Sequence, residues 1–139
     1  MENKNYIKNS LLSFTEKNDC TVRALAQTFT KDYELAHDVC KQYGRTNGKG
    51  MRTIDLIYTM LPALGFEPMT NEELINPGNT RKGRYTAASF IKDFVDKESD
   101  YNYYIITNCH AIGVTTEGIS DSSNFSGRAR IKWAFKIKK

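Results

Sequence analysis

Asn18-Asp19-Cys20-Thr21-Val22-Arg23-Ala24-Leu25-Ala26-Gln27-Thr28-Phe29 reads as a helix that opens on a polar cap and carries a cysteine in its first turn. Val22, Leu25, Ala26 and Phe29 recur at i, i+3, i+4 and i+7, the spacing of one apolar stripe on a helix. At roughly 100° per residue Cys20 falls nearly opposite that stripe, on the side of Ala24 and Gln27. Unpaired amide N–H groups and the positive end of the helix dipole favour an anion in the first turn. They can lower a thiol pKa from ~8.5 toward 7. A thiolate there would be a nucleophile.

The surrounding chain, 139 residues with 40% hydrophobic and 12% aromatic content, is expected to fold as one domain, 1–139, around its own core. No apolar run follows a basic segment near Met1, and the longest hydrophobic stretch, Leu56 to Phe66, falls short of the ~20 residues of a membrane span. Three cysteines without framework spacing fit a reducing compartment. The expectation is a cytoplasmic protein with no membrane partner. Net charge is +4, with Arg128, Arg130, Lys132, Lys136, Lys138 and Lys139 clustered after Asp121. Such a tail can attract nucleic acid or an acidic partner, but lysines also protect a solvated edge strand, and no pattern of a nucleic-acid module accompanies it.

In chain order, residues 1 to 17 form a polar approach segment anchored by Tyr6, Leu11, Leu12 and Phe14. Thr30 is the expected cap of a second helix to about Tyr43, with Tyr33, Ala36, Val39, Cys40 and Tyr43 inward and His37 beside them. The loop Gly44 to Gly50 is basic and glycine-rich, yet its lysine is followed by Gly50 and no strand precedes it, so it is no phosphate-binding loop. A third helix from about Thr53 should bury Ile54, Ile57, Tyr58, Leu61 and Leu64 and stop at Gly65. Thr70-Asn71-Glu72-Glu73 matches a capping box. Arg81, Lys82 and Arg84 form a second basic cluster and candidate binding residues. Thr86 then caps a helix that buries Ala87, Phe90, Ile91, Phe94 and Val95. Strands are expected over Tyr101 to Thr107, His110 to Thr115, Gly118 to Ser122 and Arg130 to Ile137. Helices first and an antiparallel sheet last make an α+β chain.

A nucleophilic thiol needs a base, and of the two histidines His110 is the better placed, at a strand start where a rigid backbone can hold its ring over a helix terminus. Cys109 must point to the opposite sheet face. Adjacent strand residues cannot readily chelate one ion, which argues against zinc on His37, Cys40, Cys109 and His110. No cofactor or metal is called for. The imidazole needs an acceptor on its other nitrogen. With a two-residue turn at Thr116-Glu117, His110 lies opposite Ser123 and Asp121 shares its face; a three-residue turn would bring Ser122 or Asn124 there instead.

The order of cysteine at a helix start, histidine at a strand start and aspartate on the next strand resembles the papain-like cysteine peptidase superfamily. The similarity is greatest to small bacterial and phage members related to bacteriocin-processing peptidases. It is carried by Asn18 to Ala26, His110 to Val114 and Gly118 to Asp121, about a quarter of the chain. The resemblance implies a nucleophile helix packed on the C-terminal sheet, with Cys20 as nucleophile, His110 as general base, Asp121 as its orienting partner, and a peptide or protein substrate. The superfamily commonly has a glutamine several residues before the cysteine; here Phe14 stands six before, and Asn18 with the Cys20 N–H is the candidate oxyanion donor. Two functions follow: a thiol hydrolase or acyl transferase, or a catalytically inactive papain-like module that holds a host protein or nucleic acid through its basic loops and C-terminal strand.

Overall fold

The computed structural model describes residues 18–78, 83–95, 99–108, 110–120 and 127–139. Their architecture is mixed α+β, with four helices and a five-stranded antiparallel sheet. The strands are β1 (Glu67–Pro68), β2 (Tyr101–Thr107), β3 (His110–Thr115), β4 (Gly118–Ile119) and β5 (Trp133–Lys138), in spatial order β1-β5-β2-β3-β4. Among the described residues no helix is long and apolar enough to cross a membrane.

Helix α1 (Cys20–Leu25) continues through a π-helical turn, Ala26–Thr30. Its expected stripe is buried at Val22, Leu25 and Ala26, but Phe29 is 39% exposed. The side assigned to Ala24 and Gln27 is equally buried, so α1 is an internal helix covered on more than one face. What permits this is small side chains: Ala24 meets Gly113 of β3, where no Cβ intervenes. Three polar links run along the contact. The Tyr104 hydroxyl donates to the Thr21 carbonyl at 3.0 Å, Gln27 Nε2 to Thr115 Oγ1 at 3.3 Å, and Asn102 Nδ2 to the Thr28 carbonyl at 3.0 Å. Buried side-chain amides and hydroxyls without such partners would each cost about 1–3 kcal/mol. The links also orient the helix, because Thr28 meets Asn102 near the beginning of β2, Thr21 meets Tyr104 further along it, and Gln27 meets Thr115 at the end of β3. Helix α1 therefore runs antiparallel to β2 and parallel to β3.

Strand alternation divides the core into two layers. Tyr104, Ile106, Ala111 and Phe135 join Val22, Leu25, Tyr33, Ala36 and Met60 on one side of the sheet. Tyr103, Ile105, Ile112, Val114 and Ala134 join Leu74, Tyr85, Phe90 and Ile131 on the other. The first side is covered by α1, by α2 (Tyr33–Gln42) and by α3, assembled from Thr53–Asp55, a π-helical turn over Leu56–Met60, and Leu61–Ala63. The second is covered by α4 (Ala87–Phe90), which runs into a π-helical turn over Ile91–Val95.

Two expected boundaries move. The cap of α2 is Asp32, whose carboxylate accepts from the Leu35 N–H at 2.9 Å, while the Thr30 hydroxyl donates to the Asp32 carbonyl. In α3 the inward residues are Leu56, Ile57, Met60 and Leu61, whereas Ile54 is 57% and Tyr58 73% exposed. At roughly 100° per residue Leu56, Ile57, Met60, Leu61 and Leu64 form one arc and Ile54 and Tyr58 fall just outside it, so the stripe keeps α spacing but is centred one residue pair away from the expected one. The expected capping box of Thr70 with Glu73 is present, here heading a turn, and Thr86 caps α4 as expected, with Ser89 completing a second box there. The β3–β4 hairpin pairs Thr115 with Gly118 and Val114 with Ile119, the register of a two-residue turn at Thr116-Glu117.

Candidate functional site

Because α1 and β3 are parallel, their first residues, Cys20 and His110, come to the same end of the sheet. Both border one cleft of about 260 Å³, together with Thr21, the loop residues Gly50 and Met51, Leu56, Asn108 and Trp133. Cys20 and His110 are half-buried. The cleft is mostly apolar, with Lys132 on its rim.

Asp19, immediately before Cys20, is buried at the head of α1. Its carboxylate accepts from Arg23 Nε at 3.0 and 3.1 Å and from the Tyr33 hydroxyl at 2.6 Å. It makes no side-chain cap bond to the first turn of α1. The ion pair is local to the head of α1, and the Tyr33 hydroxyl ties the cysteine-bearing turn to α2. Asn18, the candidate oxyanion donor, has a left-handed backbone (φ 53°), and its Nδ2 donates to the Gly48 carbonyl at 2.9 Å. That bond fastens the basic loop to the head of α1. Arg45, buried in the same loop, reaches the Asn18 carbonyl at 3.5 Å.

His110 opens β3 and pairs with Thr107; the Thr107 hydroxyl donates to its carbonyl at 3.4 Å. By alternation it shares its register side with Ile112 and Val114, away from Ala111, which packs in the layer of α1. The hairpin register continues to Ser120, whose N–H donates to the Gly113 carbonyl and whose hydroxyl accepts from the Gly113 N–H, both at 2.9 Å. Asp121 and Asn124 lie outside the described residues, as do Cys109, Arg81 and Lys82.

Cys40 is buried in the core, and desolvation raises its thiol pKa from an ordinary 9.0 to about 12, against the opposing pull of Arg45. His37 is buried too, its ring 6.3 Å from that of Tyr33, a structural histidine of α2. Arg84 is engaged with the Lys132 carbonyl at 3.2 Å and Asn71 Oδ1 at 2.6 Å, and Arg130 with the Arg84 carbonyl at 2.6 Å. Among the described residues no group of three or more His, Cys, Asp or Glu side chains is positioned to hold a metal ion.

Several cleft residues were not legible in advance. Met51 and Leu56 come from a loop and a helix far from Cys20 in the chain, and Trp133 from a strand read as a solvated edge. The one signal in the sequence was that Trp133 is the single tryptophan; the structure leaves it 38% exposed.

These features define an α+β protein with an internal helix whose cysteine end faces a cleft. Comparison with protein-family models, with curated proteins and with solved structures found no match.

Proposed function

We propose that the protein is a papain-like cysteine hydrolase or acyl transferase acting on peptide or isopeptide bonds in the cytoplasm. The observation that carries this reading is the parallel run of α1 and β3, which brings Cys20 and His110 to the same end of the sheet and to the rim of one cleft. Cys20 thiolate attacks the carbonyl carbon, and the oxygen takes up the electron pair of the C=O bond. His110 then gives its proton to the departing amine as the C–N bond breaks, leaving a thioester. Water or a second amine, deprotonated by His110, resolves the thioester and restores the thiol.

This reading requires the His110 ring, whose register side is away from α1, to turn around the start of β3 toward Cys20, which only the first residue of the strand can do. Asp121 orients the ring. The developing oxyanion is met by the Cys20 N–H, with Asn18 exchanging its Gly48 bond for the substrate oxygen.

Cysteine alkylation tests the reading with built-in controls. Iodoacetamide at pH 6 should label Cys20 ahead of Cys40 and Cys109 in the folded protein, since only a thiolate reacts. His110→Ala should slow labelling of Cys20 at least tenfold, and Cys40→Ser should leave it unchanged. Equal labelling of the three thiols, or indifference to His110→Ala, would overturn the nucleophile assignment and favour a non-catalytic binding module.

A further inference from the structure

At the end of the sheet where Cys20 stands, Ala111, Ile106 and Trp133 are cross-strand neighbours on β3, β2 and β5. All three belong to the face that α1 covers, Ile106 and Ala111 in its core layer and Trp133 by alternation from Phe135. Ala24 rests on Gly113 and α1 runs with β3, so the head of the helix stands at the Ala111 end of this row. The row then leads away from it. Two strand spacings, roughly 10 Å, separate Ala111 from Trp133. The cysteine cleft lies along that span, bordered also by Met51 and Leu56.

Burial grades along the row. Ala111, Ile106 and Leu56 are buried and form a floor, whereas Trp133 is exposed and Met51 half-buried. Lys132 Nζ stands over the Trp133 ring, 5.8 Å from its centroid, a contact that steadies the ring at the cleft mouth. At about 260 Å³ the space is smaller than the ~300–1,000 Å³ of a small-molecule site. That size suits one side chain of a ligand whose remainder stays outside. The surface selects which side chain. A polar group laid on methyl, thioether and indole surface would lose water without gaining a partner from it. An alanine would leave the ring and the thioether wet, whereas a long aliphatic or aromatic side chain removes both from water.

We propose that Trp133 is the specificity-determining residue of the cysteine cleft, completing with Ile106 and Met51 a seat for a large apolar side chain on the substrate residue that carries the attacked carbonyl. The attack itself rests on the thiol hydrolase reading above; the seat rests on the sheet row and the cleft.

Affinity labelling tests the two separately. The full chain is treated with the chloromethyl ketones of N-acetyl-phenylalanine, N-acetyl-leucine and N-acetyl-alanine. Each rate at Cys20 is read by mass spectrometry and divided by the rate of the same reagent with glutathione. The faster of the phenylalanine and leucine reagents should label Cys20 at least tenfold faster than the alanine reagent, a discrimination that apolar pockets supply. Trp133→Ala should lower that ratio at least threefold. Met51→Ala, at a half-buried loop position, gives the same readout should the first variant not fold. Failure of every reagent to label Cys20, a ratio near one, or a ratio unchanged in the folded variant would overturn the proposal. The ratio compares reagents at one thiol, so it does not depend on how that thiol is activated. An intact ratio with iodoacetamide labelling indifferent to His110→Ala would remove the catalytic reading and leave the seat; a flat ratio with labelling dependent on His110 would do the reverse.

Discussion

A Cβ atom placed on Gly113 would lie 2.5 Å from the Ala24 carbonyl oxygen and 3.0 Å from the Ala24 Cα. The helix backbone thus rests directly on the middle of β3, and the position of Cys20 relative to His110 is set three residues away from the histidine. Gly113→Ala must push α1 off the sheet, because the obstructing atoms are backbone and cannot rotate aside. The expected cost is about 2–3 kcal/mol, read as a fall of roughly 10 °C in thermal midpoint. An unchanged midpoint would mean that helix and strand are not in this contact.

The Tyr33 hydroxyl and Arg23 share the buried Asp19 carboxylate. Tyr33→Phe removes one charge-assisted hydrogen bond and leaves the carboxylate with Arg23, so a loss of about 1–2 kcal/mol is expected by urea denaturation. Asp19→Asn should cost at least as much. The double variant should cost less than the sum of the two, since both remove the same bond.

Alkaline pH should destabilise the fold through groups that hold their protons more tightly when folded. Burial raises Cys40 to about 12; Tyr85 rises to about 12 through burial and then its hydrogen bond to Asp93. Each group's contribution is complete below its unfolded pKa, 9.0 for the thiol and 10.0 for the phenol, and is lost as pH climbs toward 12. Urea midpoints measured from pH 8 to 11 should therefore fall, and Cys40→Ala should make the fall shallower. A pH-independent midpoint over that window would contradict the burial of both groups.

Thr86 and Ser89 cap α4 reciprocally, with the Thr86 N–H donating to Ser89 Oγ at 3.0 Å and the Ser89 N–H to Thr86 Oγ1 at 3.2 Å. Thr86→Ala should cost about 1 kcal/mol. Thr86→Ser, which keeps the oxygen, should recover most of it.

The β3–β4 hairpin has a two-residue turn, the register in which Asp121 was the expected third member of the proposed triad. In that register, Asp121→Asn should slow Cys20 alkylation at pH 6 severalfold, by releasing the imidazole's orientation. Asn124→Ala should leave it near the wild-type rate. The reverse ranking would assign the orienting role to Asn124.

Much of the α+β order was legible from local chemistry. The capping oxygens of Thr70 and Thr86, the aromatic and β-branched run from Tyr101, and the turn at Thr116-Glu117 each act over a few residues, so chain neighbours suffice to specify them. The burial of Cys40 followed from its place in a stripe with Tyr33 and Ala36. Ile54 and Tyr58 did not follow the same logic, because two apolar stripes at helical spacing overlap on this helix, one through Ile54 and Tyr58 and one through Leu56 and Met60, and tertiary packing chose the second. The cap of α2 moved to Asp32 because two polar residues compete there and the backbone geometry selects one. The cysteine's helix start and the histidine's strand start could each be read from the chain, but their arrival at one cleft could not. That depended on α1 running parallel to β3, which rests on contacts between Gly113 and Ala24, Tyr104 and Thr21, and Asn102 and Thr28, pairs separated by 74 residues or more in the chain. Periodicity and capping are local properties of a sequence; the direction in which an internal helix crosses a sheet is chosen by shape and hydrogen-bond complementarity between distant segments, and only the tertiary structure contains it.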